Sequence, residues 1–236
     1  MRLFWQPFWS ARSVEAVEVN GYEVGPNAEL GEANLVGADL SGVDLTFSDL
    51  TNARLDGANL TGANLGGADL TSASLDRANL DGANLSGACL TGVKLNDEAI
   101  SLREVRFCMA DLRGVEFVSK YPMGLAWRAV LNRVDFTEAN LENVDFSRCA
   151  LMGLRLRRAN LRGASFERAR LGLYHVAEAD FREANFCGAQ WGGYVNEGSN
   201  YFPVEIEDAY LTDAIADAAT GWPGGFDPKA AGVVFK

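Results

Sequence analysis

His175 is the only histidine among 236 residues. Set between Tyr174 and Val176, it is the side chain whose ordinary proton affinity best suits a general base near neutral pH. A base also needs a partner within hydrogen-bond reach and a concave site, and the residues around His175 supply neither. It reads as a solvated histidine. Cys89, Cys108, Cys149 and Cys187 are widely scattered, with no Cys-x-x-Cys pair. They fit reduced thiols better than a disulfide framework or a zinc site. Gly66-Gly67 belongs to no Gly-x-x-x-x-Gly-Lys phosphate loop. No catalytic residue, no cofactor and no metal site is read from these residues. An enzyme is kept only as a third reading, with a cleft built by a loop and the two ends.

What the chain has in quantity is charge, and it is unevenly divided. The net charge is −11. Residues 28–100 hold 11 acids and 3 bases, whereas 101–191 hold 11 acids and 14 bases. The overall excess argues against direct nucleic-acid binding and against an anionic membrane surface, and it is compatible with a basic partner. No apolar run approaches the ~18 residues of a membrane span. The start, Met-Arg-Leu-Phe-Trp-Gln-Pro-Phe-Trp, lacks the apolar core of a secretory signal. A cytoplasmic location is the expectation.

These charges are positioned by a repeat. Leu30, Leu35, Leu40, Leu45, Leu50 and onward to Leu95 keep a step of five, with a small residue two positions before each, as at Ala28, Ala33, Ala38, Ala53, Ala58 and Ala63. Five matches neither the helical period of 3.6 nor the strand period of 2. An ideal helix would smear these leucines around its circumference. Units this short have to stack sideways to share a core, which is the logic of a solenoid.

In units such as Ala58-Asn59-Leu60-Thr61-Gly62 and Ala68-Asp69-Leu70-Thr71-Ser72, the chain resembles the pentapeptide-repeat family. The resemblance implies an all-β fold: a right-handed quadrilateral β-helix with four units to a coil, leucine and the small residue pointing inward. The repeat slips by two at Leu102, runs through Phe107, Leu112 and Phe117, and resumes at Leu131 in a third phase that continues to Trp191 and returns at Tyr201, Ile206 and Leu211. Counting inward positions gives about nine coils, roughly 43 Å at about 4.8 Å each. The expected layout is an N-terminal cap over 1–27, coils over 28–117, an inserted loop at 118–126, coils over 127–216 and a C-terminal cap over 217–236. Within the first cap, Ser10 to Val19 suits a short helix, and Phe4, Trp5, Phe8 and Trp9 suit a cover for the first coil. In the last, Trp222 and Phe226 are expected to fold over the final coil. Val204 to Ala219 has some helical spacing, but the phase kept at Ile206 and Leu211 favours coil.

Folding the sequence into coils of 20 places residues 20 apart in columns. Phe146, Phe166 and Phe186 should stack. At the small inward position, Val134, Leu154, Tyr174 and Tyr194 grow while Phe136, Leu156, Val176 and Asn196 shrink. That trade points Tyr174 and Tyr194 inward. Asp49 over Asp69, and Asp56 over Asp76, form a candidate acidic partner face. Arg158 lies between Glu138 and Glu178 as an ordinary surface ladder. Arg128, Arg148 and Arg168 form a basic column, read either as splayed arginines finding acids such as Glu167 or as a site for an anion or acidic partner.

The resemblance implies a non-catalytic protein binder. Its most concrete form comes from acidic family members that bind DNA gyrase and topoisomerase IV by resembling duplex DNA; the alternative is a scaffold or assembly factor in a biosynthetic or developmental pathway. Gyrase-binding relatives usually end in a dimerising helix, where this chain has Trp222-Pro223-Gly224-Gly225-Phe226-Asp227-Pro228. A homodimer through an end cap is a further expectation.

Overall fold

The five-residue unit folds as its residue types dictate. In the unit around Leu70, the Asp69 side chain accepts hydrogen bonds from the Thr71 backbone N–H at 2.9 Å and its hydroxyl at 2.6 Å. This is an Asx turn, which aspartate and asparagine form alike. Leu70 points inward and is fully buried. The Leu70 carbonyl then accepts the Ala73 N–H at 2.9 Å across a turn whose third residue, Ser72, has φ of 59°. A positive φ at that place is the mark of a type II turn, where glycine or asparagine sits with least strain. Ala73 turns back inward, small enough for the next wall to approach.

Stacked units are joined by parallel bridges. The computed structural model describes residues 17–93, 95, 102–113, 115, 117, 130–192, 206 and 208–236. Four ladders start as Glu29↔Asp49, Asn34↔Arg54, Asp39↔Asn59 and Asp44↔Asn64. We number the faces by the coil they share: first face at Leu50, second at Leu55, third at Leu60, fourth at Leu65. The step between rungs is 20 residues until Asn84↔Arg106 and Cys89↔Asp111, where the two-residue slip enters, and Arg106↔Asp135 shows a longer interruption. The chain is all-β, with no helix among the described residues. Longer pairing occurs on the third face, where β3 (Val130–Asn132), β4 (Ala150–Arg155), β5 (Arg170–His175) and β6 (Gln190–Trp191) form a parallel sheet.

The lumen is continuous and apolar. Leu30 through Leu95 give way to Phe107, Phe117, Phe136, Phe146, Phe166, Phe181 and Phe186, all buried. The expected stack of Phe146, Phe166 and Phe186 is present, with centroids 5.4 and 5.0 Å apart, and Phe117 extends it at 5.0 Å. Each buried leucine or phenylalanine contributes about 1.5–3 kcal/mol. At the far end Trp222 stacks on Trp191 at 5.7 Å and meets Phe226 at 5.2 Å, as expected for those two aromatics. β7 (Ile215–Ala216) then pairs with β8 (Val234–Phe235).

Two readings need correction. The helix expected over Ser10 to Val19 is contradicted at its end: Val17–Val19 is strand β1, paired antiparallel with β2 (Tyr22–Val24). The reason is Asn20-Gly21, with φ of 54° and 83°, a hairpin turn between two alternating apolar runs. Beyond Trp191, the rung step is not 20: Asp180 bridges Tyr210 and Asn185 bridges Ile215. Leu211 is buried as expected, but it stands over Phe181 rather than in the column of Leu151. The aromatics at Phe4 to Trp9, the 118–126 loop, Tyr201, Tyr194 and the Tyr174 side chain lie outside the described residues.

Candidate functional site

Among the described residues no group of histidine, cysteine and acidic side chains is arranged to hold a metal, and no helix is long and apolar enough to cross a membrane. None of the four cysteines is in a disulfide; Cys149 is buried, its thiol donating to the Phe117 carbonyl at 3.3 Å, and the others are half-buried. His175 is exposed at the end of β5, where its carbonyl accepts the Leu156 N–H at 2.7 Å.

Glu29, Asp49 and Asp69 occupy consecutive rungs of the first face, and all three are exposed. Neighbouring carboxylates about 4.8 Å apart repel by about 1 kcal/mol even in a water-like dielectric. The turn does not require that charge. Asn59 and Asn79, or Asn64 and Asn84, do the same Asx work on the third and fourth faces. Hydrogen bonds from the Thr51 backbone and hydroxyl hold the Asp49 carboxyl below the usual aspartate range, so it stays charged. No base among the described residues pairs with Asp49 or Asp69. Asp56 and Asp76 also stack one rung apart, the Gly57 N–H bonding the Asp76 carbonyl at 2.6 Å. They lie on the second face, and Asp56 is engaged by the Ser74 hydroxyl and lies 3.8 Å from Arg54. The structure therefore separates the two acid pairs onto adjoining faces.

The basic column is described for two of its members. Arg148 and Arg168 are exposed one rung apart at φ of 58° and 56°; Arg128 is outside the described residues. Arg168 Nε lies 3.8 Å from Glu167. Elsewhere in the second half several arginines are paired with acids. Arg158 reaches Glu178 at 2.9 Å and Glu138 at 3.5 Å, as its column predicts. Arg113 and Arg182 each bind the aspartate two residues earlier, at 2.7 and 2.5 Å, and each draws that aspartate below its usual range.

One feature escaped the column reading. Of the described non-glycine residues with positive φ, only Phe47 and Met109 are apolar. Both are exposed, at 71% and 63%. They share one corner column with Gly67 and Gly87 between them: the Phe47 N–H bonds the Gly66 carbonyl, Gly67 bonds Ser86 and Gly87 bonds Cys108. The signal is an aromatic in the turn slot of Asp44-Leu45-Thr46-Phe47, a slot that the other described units with positive φ give, Met109 apart, to glycine or to a polar or charged residue such as Ser72, Glu104 or Arg148.

A family profile described as pentapeptide repeats matches residues 27–62, 58–97 and 129–168, in 8 copies. No curated protein sequence matches the chain. Among solved structures, a pentapeptide repeat protein of the Arabidopsis thaliana thylakoid lumen is 30% identical over 46% of this chain and 65% of its own, with a TM-score of 0.33. The match thus spans just under two thirds of that relative. HetL of Nostoc, involved in heterocyst differentiation regulation, is 26% identical over 88% of this chain and 85% of its own, with a TM-score of 0.29. QnrB1, a plasmid-mediated fluoroquinolone resistance protein, is 18% identical over 90% of this chain and 88% of its own, with a TM-score of 0.38.

Proposed function

The chain belongs to the pentapeptide-repeat family, and from that premise we propose that it is a non-catalytic protein binder presenting charged faces on a rigid rod. On this reading the rod is a right-handed, four-sided solenoid of about nine coils, works in the cytoplasm, and does not bind nucleic acid itself. The observation that carries the proposal is the first face. Asparagine also forms the Asx turn, as Asn59 and Asn79 do, so the turn by itself does not call for a column of charge at Asp49 and Asp69. A dry, filled lumen behind it offers no pocket for a small substrate.

The partner we propose is a type II topoisomerase, DNA gyrase or topoisomerase IV, engaged by the acidic first half as a partial imitation of duplex DNA. Magnitude bounds the claim. Fifteen units span about 18 Å, where duplex would carry roughly 10 charges. This stretch holds 11 acids against 3 bases, with its unpaired column on one face. The test is a gyrase supercoiling assay at low ionic strength. Inhibition, or relief of quinolone poisoning, that fades steeply with added salt is expected; neither effect at excess protein overturns the topoisomerase reading.

One observation favours the second reading, a scaffold in an assembly pathway. The arginines at 113, 158, 162 and 182 are each matched by acids, which makes that half unlike a polyanion. A homodimer joined through an end cap would give a scaffold two equivalent rods, and sedimentation of the purified chain distinguishes it from a monomer.

A further inference from the structure

We propose that the corner slot between Phe47 and Met109 binds an arginine side chain of the protein partner. The inference rests on the reading that this chain binds a protein through its acidic first half, and it names the contact.

A bulky apolar side chain in the left-handed region is held there at a cost of about 1–2 kcal/mol, usually accepted only where a burial or a function requires it. Phe47 and Met109 bury little of themselves, so the lumen does not require them. The residues between them are the ones that leave room. Phe47 leans over Gly67, where an added Cβ would fall 2.5 Å from its ring. Gly87 is open, meeting only the Gly67 nitrogen at 4.0 Å. Gly67 and Met109 are two rungs apart, about 9.6 Å, and van der Waals contact with each wall takes about 3.5–4.0 Å. One side chain fits between them.

The charge beside the slot chooses which. Two residues along the chain from Phe47, Gly67, Gly87 and Met109 come Asp49, Asp69, Cys89 and Asp111; Asp111 is already paired with Arg113 at 2.7 Å, whereas Asp49 and Asp69 are exposed on the first face and without a basic partner among the described residues. Each uses Oδ1 for its own turn. An apolar wall beside uncompensated carboxylates suits a side chain with an apolar stem and a flat cationic head. Arginine fits this better than lysine. Its guanidinium stacks on an aromatic ring and bonds carboxylates through a planar fork, whereas an ammonium is a compact, strongly hydrated charge.

The test uses the full chain with ¹³C-labelled methionine methyls, the Met109 signal being assigned by its loss in Met109→Leu. The probes are acetyl-Arg-Gly-Arg-amide and its lysine and citrulline counterparts. A saturable shift of the Met109 methyl is expected with the arginine peptide, with binding at least about tenfold weaker for the other two. Phe47→Asn should abolish it while leaving the fold intact, since asparagine tolerates positive φ. An unmoved Met109 methyl, an equal response to citrulline, or an unchanged response in Phe47→Asn overturns the slot. The supercoiling assay separates the two proposals. Peptide binding without gyrase inhibition supports the slot and discards the topoisomerase; inhibition that survives Phe47→Asn discards the slot and keeps the topoisomerase.

Discussion

The Ser48 hydroxyl donates to the Gly25 carbonyl at 3.0 Å. The same oxygen accepts the Ala28 N–H at 3.2 Å. Ser48 is the one buried polar side chain among the described residues, in an inward slot that most units give to alanine. It serves as a clasp where the chain enters its first coil and has no earlier rung to bond. Ser48→Ala is expected to cost about 0.5–1.5 kcal/mol, the net worth of one buried hydrogen bond, because the Gly25 carbonyl then keeps only the Ala28 N–H at 3.3 Å. A urea midpoint equal to that of the parent chain would show that water replaces the clasp without loss.

Leu65→Asp should be far more damaging. Leu65 is fully buried in a lumen lined by leucine and alanine. An unpaired carboxylate there is among the few substitutions expected to exceed about 4 kcal/mol. Circular dichroism and thermal melting check it; an unchanged melting temperature would contradict the inward assignment of the central residue.

Acid should weaken the fold through its turns. Asp39 is held below the ordinary value of 3.8 by the Ser41 side chain and backbone, and Asp217 by the Gly188 N–H first and the Thr220 hydroxyl next. A carboxylate whose folded value is depressed contributes stability that is present above 3.8 and lost as pH falls through the folded value. The urea midpoint should therefore hold from neutral pH down to about 5 and decline below about 4. Asp69→Asn should leave neutral-pH stability close to that of the parent, since asparagine keeps the Asx turn, whereas Asp49→Asn gives up the stability that its depressed carboxylate contributes. The same pair should weaken binding of a basic partner.

The repeat was legible because each unit states its own geometry. Aspartate or asparagine, leucine, a turn residue and alanine each occupy a slot with one physical demand, so the inward set and the Phe146, Phe166, Phe186 stack could be read directly. Position along the axis is a weaker message. The slip before Leu102 changed the phase and was visible. Beyond Asp180 the next rung is Tyr210, ten residues more than a coil, and ten residues are two whole units. The phase is unaltered, so Leu211 looked like the successor of Leu151 when it succeeds Phe181. The β1–β2 hairpin was written at Asn20-Gly21 but competed with a run that also suited a helix. Phe47 was overlooked because columns of inward residues say nothing about an apolar side chain in a turn.

The Arg148 and Arg168 column can be tested by removing arginine without straining the fold. Both hold φ near 57° on average, and the next rung of the same column has Gly188 at 67°. Glycine is indifferent to that conformation, whereas an arginine is strained there by about 1–2 kcal/mol. Against this stands the greater freedom of glycine in the unfolded chain, about 0.4–1 kcal/mol. Arg148→Gly should therefore be stabilising by about 0.5 kcal/mol, close to the difference of these two terms. Arg168→Gly should gain less, because its side chain also lies against Gly188 and within 3.8 Å of Glu167. If the column holds an anion, sulfate should raise the melting temperature of the parent chain and not of the double glycine variant. Stabilisation by glycine with no difference in the sulfate response would leave the arginines as surface charge alone.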